Sequence, residues 1–151
     1  MTSDRLAKWI MVLTTLLAPF GVYPFSVHND VLTVSMHALL WGIMPETFAY
    51  SGSILVYMYI IIGRGLFYGI FNIWFGIEVI RYFNDYTRKR MAIRAGIVSL
   101  IYPFAMVIIS WDWLQYSTTF EYLGPIPIQF VIGFLLMKYF GEQEPIELWS
   151  D

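Results

Sequence analysis

The sequence contains no cysteine, only two histidines and few charged side chains. The lack of cysteine excludes disulfide bonds, thiolate metal ligands and thiol catalysis. Charged residues make up 13% of the 151 residues and hydrophobic residues 58%, which leaves too little polar surface to cover a water-soluble globule. The formal net charge of −2 is too small to indicate a nucleic-acid partner. This composition predicts an integral membrane protein.

Four apolar stretches approach the roughly 20 residues that a helix needs to cross a bilayer. Helices are predicted because they satisfy their own backbone groups in lipid, and because these stretches lack the alternation of barrel strands. The sequence therefore predicts an all-α bundle of four transmembrane helices that forms a single membrane domain. No cofactor is expected, whereas bound lipids are. The predicted spans are about residues 6–25, 65–83, 95–113 and 122–140.

The basic residues predict how such a chain is oriented. Eight of the nine lysines and arginines fall on one side of a four-span chain, and the positive-inside rule assigns that side to the cytoplasm. Both termini are therefore expected in the cytoplasm, with the chain in the plasma membrane. These eight residues are Arg5, Lys8, Arg81, Arg88, Lys89, Arg90, Arg94 and Lys138.

Arg64 is the ninth basic residue, and it stands inside an apolar run that extends from Ser53 to Phe83. Counting back about 19 residues from Arg81 places Arg64 near the opposite membrane interface, where its charge can reach the headgroups. At the midplane the same charge would cost roughly 2.5–3.5 kcal/mol. Arg64 is therefore expected to be an interfacial anchor, and a place in an ion pathway together with Glu78 is the alternative.

The apolar segment between the first two spans, residues 26–64, is predicted to lie on the outer face. As a helix, residues 31–44 would be about 21 Å long, which is short of a hydrocarbon core of roughly 30 Å. Three arrangements fit this segment: a cap packed on a neighbouring subunit, a re-entrant hairpin, or two short extra spans. We favour the cap, since exposed apolar surface of this size is normally covered by a partner.

A stripe of small residues on the second span predicts a helix-packing interface. Residues spaced three or four apart share one face of a helix, and small side chains let another backbone approach closely. The amide of an asparagine in the stripe can hydrogen-bond across the contact. The facing helix can belong to the same chain or to another subunit. The predicted interface comprises Gly65, Gly69, Asn72 and Gly76, with Ala95 and Ser99 on the third span.

The remaining polar residues give little indication of chemistry. Glu78 precedes Arg81 by three residues, which is the spacing of a helical ion pair. Imidazole and carboxylate groups at His28, Asp30 and His37 could bind a late transition metal. The separation of nine residues between His28 and His37 is not a one-face helical spacing, so polar or packed positions are expected instead of a metal site.

These observations favour a non-catalytic accessory subunit that packs in and stabilises a larger membrane complex alongside other membrane subunits. The lack of a catalytic motif, the stripe of small residues and the apolar outer segment support this hypothesis together. A small homo-oligomeric channel or transporter is the alternative, with Arg64, Asn72 and Glu78 along its path. A redox-complex subunit that holds a quinone, haem or copper near His28 and His37 is the third hypothesis.

Overall fold

The computed structural model describes residues 3–43, 58–110, 112, 115–118 and 122–141, and within them the chain forms four α-helices and five short β-strands. The helices are α1 (Ser3–Leu17), α2 (Met58–Tyr82), α3 (Lys89–Ile109) and α4 (Ile128–Tyr139). The strands are β1 (Gly21–His28), β2 (Val31–His37), β3 (Gly42–Ile43), β4 (Ser117–Thr118) and β5 (Gly124–Pro125).

Four of the strands pair antiparallel in the order β3-β2-β1-β5, and β4 joins β2 in parallel. The centre of the sheet is the hairpin of β1 and β2, whose two-residue turn consists of Asn29 and Asp30. These residues have φ angles of 49° and 61°. Two consecutive residues with positive φ form a type I′ turn, whose twist matches that of the paired strands. The turn therefore fixes the register of the hairpin.

The two faces of this hairpin differ in chemistry because side chains alternate along a strand. One face is apolar, and its buried residues Val22, Leu32 and Val34 pack against side chains that follow α3. The opposite face is polar and aromatic, although it is buried as well. The residues on this second face are Tyr23, Thr33, Ser35 and His37.

The sheet lies at one end of the helices, and the turn between α2 and α3 lies at the other. At the sheet end, Trp41 Nε1 donates a hydrogen bond to the carbonyl of Leu17 at 2.8 Å, which satisfies a carbonyl in the last turn of α1. At the other end, Lys8 of α1 is hydrogen-bonded to the side chain of Asn84 in the α2–α3 turn. One buried core joins all four helices there and contains Ala7, Val79, Ala92 and Met137.

The prediction of an all-α bundle with four transmembrane spans is wrong. Among the residues that the structure describes, α3 is the one helix long and apolar enough to cross a membrane, and α4 is a shorter apolar helix. The predicted first span, residues 6–25, ends as a helix at Leu17, because Pro19 disfavours helical geometry in the residue before it. The predicted fourth span, residues 122–140, becomes helical only at Ile128.

The predicted outer segment, residues 26–64, also differs from expectation. This segment was considered as an apolar part of an all-α protein, as a cap on a neighbouring subunit, a re-entrant hairpin or two short extra spans, but its first part belongs to the β1–β2 hairpin and β3. Periodicity does not separate a short apolar run in a helix from a strand that is buried on both faces, which is the case for β2. Residues 44–57 lie outside the described residues, and α2 begins at Met58.

Candidate functional site

A group of polar and aromatic side chains fills the junction between the sheet and the helices. The hairpin register sets Tyr23 opposite Ser35 and Gly21 opposite His37, so these residues share one face of the sheet. The ring of Tyr23 folds over Gly21, where a Cβ would lie 2.8 Å from the tyrosine hydroxyl. A side chain at position 21 would therefore displace Tyr23. We call the following residues the junction cluster: Tyr23, Ser35, His37, Tyr68 and Tyr102.

Tyr68 connects this cluster to α2. Its ring stacks on Tyr23, with the ring centroids 4.4 Å apart and an interplanar angle of 24°. The centroid of the His37 ring lies 5.5 Å from that of Tyr68 and 5.9 Å from that of Tyr23. Such aromatic pairs contribute about 0.5–1.5 kcal/mol each beyond their burial. The three rings therefore hold the polar face of the sheet against α2.

Two hydrogen bonds involve side chains of the junction cluster. Ser35 Oγ lies 2.8 Å from His37 Nε2 in a buried hydrogen bond. Tyr102 of α3 donates its hydroxyl to the backbone carbonyl of Phe67 in α2 at 3.3 Å. A polar contact thus joins α3 to α2, whereas β2 contacts α2 by ring packing.

The hydroxyl of Tyr23 is the exception in this network. The side chain is 1% exposed, and within the described residues its hydroxyl has no hydrogen-bond partner. Burial raises the pKa of Tyr23 above its usual value, and the nearby hydroxyls of Tyr102 and Tyr68 raise it further. Tyr23 therefore stays protonated and neutral at physiological pH, available only as a neutral hydrogen-bonding group.

The chemistry of the junction cluster is that of stacking and hydrogen bonding. Ser35 and His37 are paired as a nucleophile and a base would be, but their exposures of 2% and 3% leave a substrate no path to Ser35 Oγ. Within the described part of the chain, no three His, Asp or Glu side chains lie close enough to hold a metal ion. The contacts that the structure shows in the cluster are ring packing between the sheet and α2 and a hydrogen bond within β2.

The three residues considered as metal ligands are not brought together. His28 pairs with Val31 beside the hairpin turn, whereas His37 lies at the far end of β2. His37 follows Val31 by six residue steps along the strand, which corresponds to about 20 Å. Asp30 lies in the turn itself and is exposed. The side chain of His28 is outside the described part of the structure.

A second group of polar side chains lies inside the helical layer, where α1, α2 and α4 meet. Gln129 is 3% exposed, and its Nε2 donates to Thr15 Oγ1 at 2.9 Å and to the backbone carbonyl of Asn72 at 2.8 Å. Thr15 in turn donates its hydroxyl to the carbonyl of Met11 at 2.8 Å. Asn72 is buried, and its Nδ2 has no partner among the described residues. One glutamine thus joins three helices.

The predicted packing stripe on α2 faces other parts of the same chain. A Cβ on Gly76 would collide with the Thr15 hydroxyl of α1, and a Cβ on Gly69 would lie 3.0 Å from the ring of Phe20. Small residues at these positions let α1 and the start of the sheet approach the α2 backbone. Gly65 lies in the second turn of α2, before the part of that helix whose packing the structure describes.

The partner positions on α3, Ala95 and Ser99, are both buried. Ser99 donates its hydroxyl to the carbonyl of Gly96 at 2.7 Å. Gly96 itself was not singled out from the sequence, nor was Gly133 of α4, yet both glycines adjoin the buried ring of Phe75. A Cβ would lie 2.9 Å from this ring on Gly96 and 2.5 Å from it on Gly133. An isolated glycine in a helical pattern was the available signal.

The two residues proposed for an ion pathway occupy different positions on α2. Glu78 is buried and forms an ion pair with Arg81, with 2.9 Å between Oε1 and Nη1. The side chain of Arg81 is 50% exposed and that of Glu78 6%, so the pair runs from the interior to the surface. Arg64 lies in the second turn of α2, and its side chain is not described, so its role stays a prediction.

Large apolar side chains point away from the other helices on α1, α2, α3 and α4 alike, and we call this surface the outward face. The interior, by contrast, contains polar residues in addition to apolar ones. This arrangement is the reverse of an amphipathic helix in water. The outward face includes Leu6, Trp9, Leu13 and Leu17 of α1, Phe67, Ile70, Trp74 and Ile77 of α2, Ile97, Ile101, Phe104 and Ile108 of α3, and Val131, Phe134 and Leu135 of α4.

No protein-family model, curated protein or solved structure shows significant similarity to this chain. The outward face is accordingly the feature from which a function can be inferred.

Proposed function

We propose that this protein is a membrane-embedded accessory subunit that stabilises a larger membrane complex through its outward face. The proposal rests on one observation: the helices expose large apolar side chains and bury polar ones. Ile101 and Phe104 of α3 are 58% and 57% exposed, whereas Glu78 and Gln129 are 4% and 3% exposed. In water, an apolar surface that extends over four helices would favour aggregation. In a bilayer such a surface is compatible with the lipid tails, and the polar side chains are the ones that need burial.

The interior supports a structural role rather than a pathway. Asn72 and Glu78 would have to face water along a channel, but both are buried within one chain, and Glu78 is paired with Arg81. Gln129 and Gly76 hold α1, α2 and α4 in direct contact. Contacts of this kind favour a fixed arrangement of helices, which is what a scaffold for other subunits needs.

The placement of charge supports an orientation with the α2–α3 turn in the cytoplasm. The start of α1, the α2–α3 turn with the adjoining ends of both helices, and the end of α4 lie together, and eight of the nine basic residues belong to these segments. If α3 crosses the membrane, the positive-inside rule favours the cytoplasm for its end at Lys89 and Arg90, and the sheet end would then lie on the outer side of the plasma membrane. Single cysteines at Ser3 and Thr87 should resist an impermeant thiol reagent in intact cells, and one at Thr118 should react. Labelling of a cysteine at Thr87 from outside the cell would show that the orientation is the opposite one.

Membrane extraction tests whether the outward face contacts lipid. We expect the protein to stay with the membrane after washes with high salt and alkaline carbonate, and to be released by mild detergent. Ile101→Arg places a charge at the centre of α3, which should cost roughly 2.5–3.5 kcal/mol in lipid and reduce the inserted fraction. Tyr86→Arg in the exposed α2–α3 turn is the matched control and should insert normally. Normal insertion of Ile101→Arg would contradict the proposal.

Native mass measurement in mild detergent tests the role as a subunit. The expected species is a complex of this chain with different membrane proteins. An assembly of this chain alone would favour the channel hypothesis instead. A bound chromophore in the purified species would favour the redox subunit.

A further inference from the structure

Eight of the nine basic residues belong to segments that meet at the end of the helices opposite the sheet, and we call this end the basic end. It combines the first turns of α1, the last two turns of α2, the α2–α3 turn with the first two turns of α3, and the last turn of α4. Within the described residues it contains eight basic and three acidic side chains, the latter being Asp4, Glu78 and Asp85. The basic side chains are Arg5, Lys8, Arg81, Arg88, Lys89, Arg90, Arg94 and Lys138.

The four segments of the basic end are held together by direct contacts. Lys8 of α1 is hydrogen-bonded to Asn84 in the α2–α3 turn. Gly141, directly after α4, lies so close to Tyr82 at the end of α2 that a Cβ would collide with the tyrosine hydroxyl. The positive charges are therefore displayed on a packed scaffold, and side chains such as Arg90 are exposed.

Exposed aromatic rings surround the same end. Trp9, Tyr86 and Tyr139 are 61%, 76% and 70% exposed. The amino group of Lys138 lies 5.4 Å from the centroid of the Tyr139 ring. Tryptophan and tyrosine are enriched at the level of the lipid headgroups, where one part of the ring is apolar and the other is hydrated. Trp9 and Tyr139 continue directly into the outward face on α1 and α4.

We propose that the basic end docks onto the headgroups of anionic phospholipids in the leaflet that surrounds it. The exposed basic side chains attract phosphate groups that carry a net negative charge, and the aromatic rings fix the depth at which the charges meet them. The inference rests on the proposed function, because the basic end reaches headgroup level only if the outward face lies in the bilayer. Soluble polyanions would explain the charge but not the continuity between basic residues, aromatic rings and apolar helices.

Lipid retention tests this inference. The full-length protein is reconstituted into vesicles of phosphatidylcholine alone and of phosphatidylcholine mixed with phosphatidylglycerol, and is then extracted with mild detergent. Native mass spectrometry counts the lipids that remain bound. We expect strong enrichment of phosphatidylglycerol, which high salt weakens because it screens the charges. Neutralising three charges in Arg88→Gln/Lys89→Gln/Arg90→Gln should lower this enrichment by about tenfold or more.

Two controls separate the possible results. Arg88→Lys/Arg90→Lys keeps the charge and should retain the anionic lipid, and the thermal midpoint of each variant reports its folding. Equal retention of both lipids by the unmodified protein, or unchanged enrichment in the neutralised variant, would overturn the inference and leave the proposed function intact. Failure of the unmodified protein to enter either vesicle would instead overturn the proposed function.

Discussion

Gly76 of α2 lies so close to the hydroxyl of Thr15 on α1 that a Cβ at position 76 would collide with it. The same hydroxyl accepts a hydrogen bond from Gln129 of α4 at 2.9 Å. A close backbone approach and a polar contact therefore coincide at one point in the helical layer. The packing of α1, α2 and α4 therefore depends on the small size of Gly76 and on the hydrogen bond from Gln129.

Gly76→Ala should lower the free energy of unfolding by about 1–3 kcal/mol, because overpacking forces α1 and α2 apart. Thr15→Ala removes the group that the new methyl would meet, so the double variant should be more stable than the sum of the two single losses predicts. Ile77→Ala, on the outward face, is the control and should have a smaller effect. Denaturant unfolding in detergent measures all four variants. Additive losses would show that the two side chains do not compete for this space.

Gln129→Leu should lower the free energy of unfolding by about 1–2 kcal/mol, since it removes two buried hydrogen bonds and keeps a similar volume. Gln129→Glu should be more harmful, because it directs a carboxylate towards the backbone carbonyl of Asn72 and buries a charge. The same unfolding measurement compares them. Ile128→Leu, at the exposed neighbouring position, is the control. Equal stability of the leucine and glutamate variants would mean that position 129 is hydrated.

Tyr23→Phe should leave stability at neutral pH unchanged or slightly raised, because the buried hydroxyl has no hydrogen-bond partner among the described residues. At high pH, the stability of Tyr23→Phe should differ from that of the unmodified protein. Burial raises the folded-state pKa of Tyr23 above its unfolded value of about 10, so the unfolded chain loses the proton first as the pH rises. The ionisation of this tyrosine therefore leaves the free energy of unfolding unchanged below about pH 10 and lowers it as the pH rises above that value.

Thermal midpoints measured at neutral pH and above about pH 10 test this difference. The unmodified protein should lose more stability between the two conditions than Tyr23→Phe does. Tyr86→Phe removes an exposed hydroxyl and is the matched control. Parallel losses in the unmodified protein and Tyr23→Phe would contradict the burial of the hydroxyl.

The sequence predicted the cores of α2 and α3, because long apolar runs with small residues indicate helices that pack closely. The boundaries differ, since α3 begins at Lys89 rather than at residue 95. Lys89, Arg90 and Arg94 precede the predicted span, but a charged side chain does not interrupt a helix at its exposed end. Helical hydrogen bonding thus extends beyond the apolar run.

The sheet was missed because the length of an apolar run was used as the criterion for a helix. The segment after the turn, "VLTVSMH", is rich in β-branched residues, and Asn29 and Asp30 before it form a two-residue turn. Together these are the signals of a hairpin. The junction cluster was harder to predict from the sequence than the hairpin. Tyr23 and Tyr68 are far apart in the sequence, and their stacking depends on how the hairpin is placed on α2.

The ion pair of Glu78 and Arg81 gives a last prediction that also separates a structural role from an ion pathway. Arg81→Ala leaves the buried Glu78 carboxylate without its partner. The loss should be about 1–2 kcal/mol, below the roughly 3–5 kcal/mol of fully buried pairs, because Arg81 is half-exposed and screened by solvent. Glu78→Gln in the same chain removes the charge and should recover most of this stability. Arg88→Ala, at an exposed position of the same end, is the control.

The double variant decides between the two roles of Glu78. For a structural pair, Glu78→Gln/Arg81→Ala should assemble with the partner complex nearly as well as the unmodified chain, because an uncharged amide is compatible with the buried position. For an ion pathway, the carboxylate itself is needed, so the double variant would fold and assemble but lose conductance in reconstituted vesicles. Unfolding and ion flux are therefore measured on the same preparation. Recovered stability with lost flux would reject the structural interpretation of this pair.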